Sequence, residues 1–374
     1  MSEIGVGCYS IGGAYGAKDP EQFVGLLRRA VELGVTFFDT ADVYGPGEEV
    51  LGRALAPFRD RVWIATKVGA SESGKPDCSH AHVITACEQS LRRLGVERID
   101  LYQIHFDDPH TPVAETVGAL DELVAAGKIR YYGVGHLAPA RVAEYIATGN
   151  VFSMLTELSA VARSTLERTA PLCRTHDIGI IAFSVTGRGL LAGKIGPDTR
   201  FAPDDIRQLD PLFQRARRAA GLRIAAYLHQ LGKRYGKSPA QVAIAWVLAQ
   251  PGVICALTGP SRIAHLEENL GGSGWSIEAD DLAAFGHFLS AEDERLHHEQ
   301  MAELRAILEA GTPSAQTFRD LIYVLETLVE LGLVEEQQII PAFQQLWALR
   351  DGANLTELAH IQAGLREKFL SLLV

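Results

Sequence analysis

Four side chains suited to carbonyl chemistry follow three short apolar runs of this sequence. Asp39 ends the first run, and Tyr44 follows it five residues later in a segment that ends in glycine. Lys67 lies near the end of the second run, and His105 comes directly after the third. In a parallel barrel the carboxyl ends of the strands converge on one mouth, so we expect these four side chains to lie together.

Such a set could protonate a carbonyl oxygen. A tyrosine hydroxyl has an unperturbed pKa of about 10 and is a poor acid unless a cation stabilises its phenolate. Lys67 can be that cation, and Asp39 can hold the ammonium in place. His105 can orient the carbonyl while hydride arrives from a reduced nicotinamide. Each residue alone also has an ordinary structural explanation, but their joint placement at strand ends favours the chemical one.

The elements that must position these residues are strands and helices in alternation. Apolar or β-branched runs occur near residues 4–8, 36–39, 62–68, 99–104, 129–134, 153–158, 179–185 and 253–258. Amphipathic segments alternate with them near 20–34, 48–58, 79–94, 112–126, 138–148, 164–176, 213–250 (in two pieces) and 262–270. Nearly continuous apolar strands are typical of a parallel sheet covered by helices. The pattern predicts an α/β fold, a closed (β/α)8 TIM barrel.

A doubly wound open sheet is the competing architecture. It would need a glycine fingerprint after the first strand and an acidic residue about 20 positions further on. The glycines at 5, 7, 12 and 13 have neither that spacing nor a long helix directly after them. The barrel is therefore the favoured prediction.

The pattern changes after the glycine-rich stretch at 271–274. From there to the end only helix signals occur, near 282–289, 299–310, 313–331, 335–349 and 355–372. The Thr312-Pro313 pair resembles an N-cap followed by proline at the first helical position. Residues 291–374 carry a net charge of −8 out of the total of −11. We therefore predict a barrel over residues 1–290 and an acidic helical C-terminal extension over 291–374.

Composition limits the class of protein. The 374 residues are 47% hydrophobic and 22% charged, which is ordinary for a globular protein. The sequence contains no apolar run long enough to span a membrane and no secretory signal at its start. Five cysteines without a Cys-x-x-Cys pair indicate free thiols in a reducing cytoplasm. The acidic balance argues against a nucleic-acid partner.

Several segments resemble the signatures of the aldo-keto reductase family. They are FFDTADVYG at 37–45, ATK at 65–67, LYQIH at 101–105, IAFSVTGRGLLAGK at 181–194, PDDIR at 203–207, AWVLAQPGV at 245–253, Gly259, and LEEN at 266–269. The resemblance covers about residues 3–285, with independent motifs in the order the family has them. It implies NADP(H)- or NAD(H)-dependent reduction of an aldehyde or ketone at the barrel mouth.

The resemblance also implies roles for individual residues. Tyr44 would be the proton donor, Lys67 and Asp39 its tuning pair, and His105 the residue that orients the substrate. The residues expected at the cofactor are His136, Phe183, Ser184, Val185, Gly187, Gly189, Leu190, Gly259, Ser261, Arg262, His265, Glu268 and Asn269. Among these, Phe183 would stack on the nicotinamide with its aromatic face.

Some positions depart from the family pattern. Gly135-His136 stands where many members have Ser-Asn for the nicotinamide carboxamide, and Leu155 replaces a glutamine. Each lost hydrogen bond weakens that anchoring by roughly 0.5 to 1.5 kcal/mol. Ser261 and Arg262 match the place of a 2′-phosphate, which favours NADP(H) over NAD(H), whereas a usual basic residue near the adenine ribose is replaced by His265.

The mouth should also contain a substrate pocket. Tyr9, Tyr15 and Phe106 are candidates to line it, with ordinary packing as the competing explanation. The histidine pairs at 80/82 and 297/298 lack a second ligand pair at useful spacing, so no metal site is predicted.

Two further functions stay open at this point. One is a nucleotide-binding interaction subunit, similar to the potassium channel β subunits of this family, in which the extension engages a partner. The other is a sugar or polyol dehydrogenase, which runs the same chemistry in reverse. Family members usually begin with a β-hairpin that closes the barrel floor, and this chain starts almost at strand one. We therefore expect an apolar tail helix, such as 321–331, to cover the floor or to form a homo-oligomer.

Overall fold

A computed structural model describes residues 1–16, 18–71, 74–135, 137–202, 204–311, 313–314, 316–349 and 354–373. Its strands are β1 Ile4–Gly7, β2 Phe37–Asp39, β3 Trp63–Val68, β4 Ile99–Ile104, β5 Ile129–Gly135, β6 Ser153–Glu157, β7 Gly179–Phe183 and β8 Val253–Thr258. They hydrogen bond in parallel and in chain order. The ring closes where β1 pairs with β8, with Ile4 opposite Ala256. The predicted (β/α)8 barrel is confirmed.

Helices follow the strands and continue past the barrel. They are α1 Pro20–Glu32, α2 Gly47–Leu55, α3 His80–Leu94, α4 Val113–Ala125, α5 Pro139–Thr148, α6 Ser164–Arg168, α7 Ala170–Thr175, α8 Arg215–Tyr235, α9 Pro239–Leu248, α10 Ile263–Leu270, α11 Ala279–Glu309, α12 Thr317–Glu330, α13 Glu336–Ala348 and α14 Leu355–Phe369.

Two C-terminal predictions need correction. The segments expected as separate helices at 282–289 and 299–310 form one helix, α11, because residues 290–298 contain no glycine or proline to end it. Helix α12 begins at Thr317 and not at Pro313, so the predicted helix start is wrong. The Thr317 hydroxyl accepts a hydrogen bond from the Ser314 amide at 2.7 Å, which marks the turn before the helix. Thr312 lies outside the described residues.

The chain forms two compact units. The barrel unit consists of Met1–Lys194 and Ala225–Ala279, and the helical unit of Ile195–Ile224 and Asp280–Val374. The helical unit is therefore built from two separate parts of the chain. Its first part precedes the C-terminal helices by more than fifty residues.

The interior of the barrel is layered. Side chains two residues apart on a strand point to the same face, so Phe37 shares its face with Asp39, and Leu101 with Gln103. A buried apolar cluster fills the barrel with Phe37, Ala65, Leu101, Leu155, Ile181, Cys255 and Leu257. One step along the strands toward their carboxyl ends, the inward positions become polar at Asp39, Lys67 and Gln103. The apolar layer therefore supports a charged layer at the mouth.

The amino ends of the strands carry an aromatic stack. Trp63 and Tyr131 are parallel with ring centroids 5.8 Å apart, and Tyr131 stacks on Phe152 at 4.5 Å. The Arg130 guanidinium lies 4.8 Å from the Trp63 ring, in range for a cation–π contact. Within the described part of the chain, no strand precedes β1.

The helical unit has its own apolar core. Helix α12 buries one broad face, with Leu321, Val324, Leu325 and Leu328 fully enclosed. These side chains cluster with others from α11, α13 and α14. The apolar face that the sequence analysis singled out at 321–331 therefore packs inside the helical unit. A homo-oligomer or protein partner of the extension stays a prediction.

Arginines of α8 meet the acidic helices inside the same unit. Arg215 pairs with Asp320 at 2.7 Å, and Arg217 pairs with Glu330. Arg223 contacts two carboxylates, Glu292 at 2.6 Å and Glu299 at 3.2 Å. Part of the negative charge of the extension is thus neutralised by basic residues of the segment 195–224.

Candidate active site

Lys67 is the centre of the polar layer. It is 1% exposed on β3, and its ammonium donates to Asp39 Oδ1 and to the Thr40 carbonyl oxygen, each at 2.5 Å. Its Nζ also lies 4.9 Å from the centre of the Tyr44 ring. A buried cation is stable only with such partners.

Asp39 has a second donor that the sequence analysis did not assign. Gln103 Nε2 donates to Asp39 Oδ2 at 3.2 Å, from a fully buried position on β4. Both carboxylate oxygens are therefore engaged, one by an ammonium and one by an amide. Gln103 could have been found from its spacing, because it lies two residues before His105 on the inward face of its strand.

Tyr44 lies on the segment between β2 and α2. Its hydroxyl oxygen is 3.5 Å from His105 Nε2, and the two rings meet edge to face with centroids 5.7 Å apart. Gly45 has φ +54°, and Gly47 could not carry a Cβ without approaching the Thr40 hydroxyl to 2.7 Å. These two glycines let the chain turn closely beside Tyr44.

Burial and charge set the proton positions. Burial would lower the pKa of Lys67, but the Asp39 carboxylate and Tyr44 outweigh it, and the pKa is raised. Burial raises the pKa of Tyr44, and the Lys67 ammonium opposes that rise only in part. At neutral pH Lys67 is therefore cationic and Tyr44 holds its proton, as a proton donor must.

Two further carboxylates, Asp42 and Glu48, flank Tyr44 in the chain. Glu48 is buried, accepting from the Thr66 hydroxyl and from Arg93 Nε at 2.6 Å each. Burial, followed by the charge of Glu48, raises the pKa of Asp42 to about 6. Asp42 lies two residues before Tyr44 in the chain.

His105 directly follows β4 at the mouth and is 6% exposed. Its amide donates to the Val68 carbonyl at 2.7 Å, which fixes its backbone to β3. The next residue along β3, Gly69, has φ +132°, and a Cβ there would lie 3.0 Å from the Phe106 carbonyl oxygen. Gly69 therefore permits the close approach of the chain after His105. The sequence offered no signal for this role beyond a glycine at a strand end.

The three residues expected at the substrate pocket lie around the proposed acid. Tyr9 meets Tyr44 edge to face at 5.1 Å, and Tyr15 meets Tyr9 at 6.0 Å. Phe106 lies 4.2 Å from the His105 ring and is 39% exposed. The structure thus places aromatic side chains on both sides of the pair Tyr44 and His105.

The segment after β7 has the backbone of an anion-binding loop. Ser184 and Arg188 are non-glycine residues with φ near +50°, and Gly187 and Gly189 also have positive φ. Successive residues of this kind are typical of backbone anion sites, and here the N–H groups of Gly187, Gly189 and Leu190 donate to carbonyl oxygens of the loop. Val185 and Leu190 are buried beneath it. Arg188 pairs with Glu157 at 3.0 Å, which links this loop to the end of β6.

The expected adenosine side is the start of α10. Its N-cap, Arg262, makes no side-chain cap, so the first N–H groups of the helix are available to an anion. Gly259, Ser261 and Arg262 are exposed there. Burial and the cations of Lys194 and Arg262 lower the pKa of His265. This positive surrounding fits a phosphate group.

Glu268 and Asn269 follow on the same helix. Lys194 pairs with Glu268 at 2.7 Å and so ties α10 to the segment after β7. Lys194 was quoted in the resemblance but given no role. The two segments expected at the cofactor are therefore joined by an ion pair.

The nicotinamide side is apolar where it is described. Leu155 is 3% exposed and belongs to the cluster that fills the barrel, and Phe183 packs against that cluster. Leu155 therefore supplies contact and no hydrogen bond. His136, the other residue expected here, lies outside the described residues.

Two features are absent from the part of the chain that the structure describes. No group of three or more His, Cys, Asp or Glu side chains is arranged there to hold a metal ion. None of the helices there combines the length and the apolarity needed to cross a membrane.

Comparison with known proteins decides the family. The profile described as the aldo/keto reductase family matches residues 3–288. This chain belongs to the aldo-keto reductase family. The predicted membership is confirmed, and the helices beyond residue 288 extend past the family match.

Relatives of the family agree with this assignment. The chain is 36% identical over 290 residues to "Probable aldo-keto reductase 1" of Glycine max, covering 75% of this chain and 84% of that protein. The solved glycerol dehydrogenase AKR11B4 of Gluconobacter oxydans aligns with a TM-score of 0.72 and 32% identity, over 78% of this chain and 92% of its own.

A third relative is described with a nicotinamide cofactor. The aldo/keto reductase of Klebsiella pneumoniae, solved with NADP and acetate, aligns with a TM-score of 0.62 and 27% identity. The alignment covers 77% of this chain and 92% of that one. Membership supports an oxidoreductase that acts on carbonyl substrates and uses a nicotinamide cofactor.

Proposed function

We propose that this protein reduces an aldehyde or ketone to the alcohol, with NADPH or NADH as the hydride source and Tyr44 as the general acid. The observation that carries the proposal is the contact set of Lys67. One buried ammonium donates to the Asp39 carboxylate and lies 4.9 Å from the centre of the Tyr44 ring, while the Tyr44 hydroxyl lies 3.5 Å from His105 Nε2.

The chain's own residues would act on the carbonyl oxygen. His105 orients this oxygen beside the Tyr44 hydroxyl, which donates its proton to it. The bound nicotinamide supplies a hydride to the carbonyl carbon, so the products are the alcohol and the oxidised cofactor. The phenolate left on Tyr44 is stabilised by Lys67 until solvent returns the proton. Asp39 and Gln103 hold Lys67 in place throughout.

The residues that would hold the cofactor lie in two segments, the one after β7 and the start of α10, which the Lys194–Glu268 ion pair joins. The pyrophosphate would bind the segment 184–190, whose own turns use the N–H groups of Gly187, Gly189 and Leu190, and Phe183 would offer an aromatic face to the nicotinamide. The start of α10, with Ser261 and Arg262, suits the adenosine phosphate. Two cations near His265 support NADP(H) over NAD(H), and this preference is part of the proposal.

The test is direct. NADPH and NADH are titrated against the purified protein by fluorescence, and a panel of aldehydes, ketones, sugars and glycerol is then assayed with wild type and Tyr44→Phe. We expect carbonyl-dependent oxidation of NADPH that falls about 10²- to 10⁴-fold in Tyr44→Phe. Tyr131→Phe is the matched control, since it removes a tyrosine hydroxyl at the other end of the barrel.

A second candidate is alcohol oxidation. The likeness to a solved glycerol dehydrogenase favours a polyol as substrate, and the same residues would then run the reaction in reverse. A higher kcat/KM for glycerol or a sugar alcohol with NADP or NAD than for any carbonyl of the panel would select it. Tight cofactor binding without Tyr44-dependent turnover would instead point to an interaction subunit.

The remaining assignments are proposals as well. We propose a cytoplasmic location, from the free cysteines of the sequence. We also propose that the barrel of residues 1–290 carries the activity, while the extension of 291–374 serves assembly or a protein partner. Size-exclusion chromatography with light scattering on the full chain measures whether it forms an oligomer.

A further inference from the structure

Arg141, in the first turn of α5, is bound to the segment that follows His105. Its Nε donates to Asp107 Oδ1 at 2.8 Å. One terminal nitrogen donates to the carbonyl oxygens of Asp108 at 2.9 Å and Thr111 at 3.0 Å, and the other donates to Glu144 at 2.8 Å. The side chain is 15% exposed. One guanidinium thus holds three positions of a five-residue stretch.

That stretch is also tied to the loop before it. The Asp108 carboxylate accepts from the Cys78 amide at 3.0 Å and from the Thr111 hydroxyl at 2.5 Å. The Cys78 thiol approaches the Phe106 carbonyl at 3.5 Å. The loops after β3, β4 and β5 are therefore joined around residues 106–111. Arg141 supplies the link from the third of them.

The joined segment carries the residues that face the carbonyl. His105 enters it from β4, and Phe106 lies against the His105 ring and is 39% exposed. The Phe106 backbone also packs closely on Gly69, where a Cβ would come within 3.0 Å of the Phe106 carbonyl oxygen. The contacts of Arg141 begin one residue later.

We propose that Arg141 is a positioning residue that sets Phe106 and His105 for carbonyl binding, an inference that rests on the proposed function. It acts through the segment 107–111 and not by touching the carbonyl. Its chemistry suits the task, because a planar guanidinium can meet a carboxylate and two backbone carbonyls at once with fixed geometry. A lysine at this position would offer a single point charge in place of the planar guanidinium.

The chain provides a matched control in Arg59. Arg59 donates to the carbonyl oxygens of Val62 at 3.0 Å and Arg98 at 2.7 Å, and pairs with Asp100 at 2.8 Å. It therefore binds two backbone carbonyls as Arg141 does, with one carboxylate where Arg141 has two, and 27% of its side chain is exposed. It lies at the amino ends of β3 and β4, away from the mouth. Loss of either arginine should cost similar stability.

The experiment compares Arg141→Gln, Arg141→Lys and Arg59→Gln in the full-length protein. We expect Arg141→Gln to lower kcat/KM for the carbonyl about 10- to 100-fold, mostly through KM, while the Kd of NADPH changes less than twofold. Arg141→Lys should fall between that variant and wild type. Arg59→Gln should stay within twofold of wild type in kcat/KM. Hydrogen exchange should accelerate at the amides of residues 106–108, 110 and 111 in Arg141→Gln, and not in Arg59→Gln.

The outcomes separate this inference from the proposed function. If wild type shows no Tyr44-dependent turnover with any carbonyl, the proposed function is lost and this inference with it. If wild type is active but Arg141→Gln and Arg59→Gln have equal kcat/KM, only the role of Arg141 is overturned. A rise in the Kd of NADPH equal to the rise in KM would also contradict it, because the effect would then lie on the cofactor side.

Discussion

The barrel mouth and the helical unit both contain ion pairs, but the pairs differ in how far they are exposed to solvent. In the mouth, Lys67 and Asp39 are 1% and 3% exposed, and Lys67 also lies against the Tyr44 ring. In the helical unit, Arg223 is 24% exposed and divides its guanidinium between Glu292 and Glu299. The first pair has almost no water around it, whereas the second keeps part of its hydration.

This difference separates a charge that can do chemistry from one that fastens helices. A buried ion pair contributes little net stability, yet removal of one partner leaves an uncompensated charge. Its fields act at low effective dielectric, which strengthens its effect on a neighbouring hydroxyl. A half-exposed pair is screened and adds modestly to stability. Three substitutions, taken from the largest expected effect to the smallest, test this contrast.

Lys67→Met should have the largest effect. It leaves the Asp39 carboxylate buried without its cation, so we expect a loss of about 3 to 5 kcal/mol in the free energy of unfolding. Carbonyl reduction should fall at least about 10²-fold, since the phenolate of Tyr44 loses its stabilising charge. Urea unfolding and steady-state assays measure the two effects.

The double variant Asp39→Asn with Lys67→Met sharpens the point. It removes both charges and keeps the size of both side chains, so most of the stability should return while the activity stays low. Recovery of activity together with stability would contradict the chemical role of Lys67, because it would show that the lost turnover came from misfolding.

Arg223→Gln should have an intermediate effect, confined to stability. It ends two ion pairs of the helical unit, one of them with the buried Glu292, and we expect a loss of about 1 to 2 kcal/mol. The control is Arg295→Gln, which also loses a contact with Glu299 but starts 56% exposed and should change stability by less than about 0.5 kcal/mol. Equal losses in the two variants would remove burial as the deciding factor.

Asp42→Asn should have the smallest effect, and its sign depends on pH. The pKa of Asp42 is raised to about 6 in the folded chain, from 3.8, so its ionisation opposes folding as pH rises between these values. The substitution should therefore stabilise the protein by about 1 kcal/mol more at pH 7.5 than at pH 4, because partial exposure reduces the full linkage value. Urea unfolding of both proteins at the two pH values measures it, and a larger gain at pH 4 would reverse the assigned direction.

The sequence predicted the barrel well because each strand there is a local signal. Apolar runs such as 62–68 and 99–104 carry their own period, and His105 and Lys67 stand at strand ends that a parallel barrel must bring together. Gln103 and Arg141 escaped prediction for another reason. Their partners lie 64 and 34 residues away, and nothing near either residue indicates which carboxylate it will meet.

The helical unit was harder to read from sequence. The helices of the extension were visible as amphipathic segments, but their bounds at 290–298 and 313–317 were not, because helix ends depend on weak capping preferences. The composition of residues 291–374 indicated an acidic surface. The arginines that pair with these acidic residues belong to α8, which precedes the last barrel strand. A net charge counted separately for residues 1–290 and 291–374 therefore assigned them to the barrel.

The division of the helical unit into two chain segments has a consequence for synthesis on the ribosome. Residues 195–224 leave the ribosome before the last barrel strand, and their arginines wait for partners as far as 113 residues downstream. At roughly 5 to 20 residues per second this interval lasts several seconds. During that time the nascent chain presents a basic, partly apolar segment whose acidic partners have not been made. A chaperone that binds such segments would meet this protein before its last helices have been made.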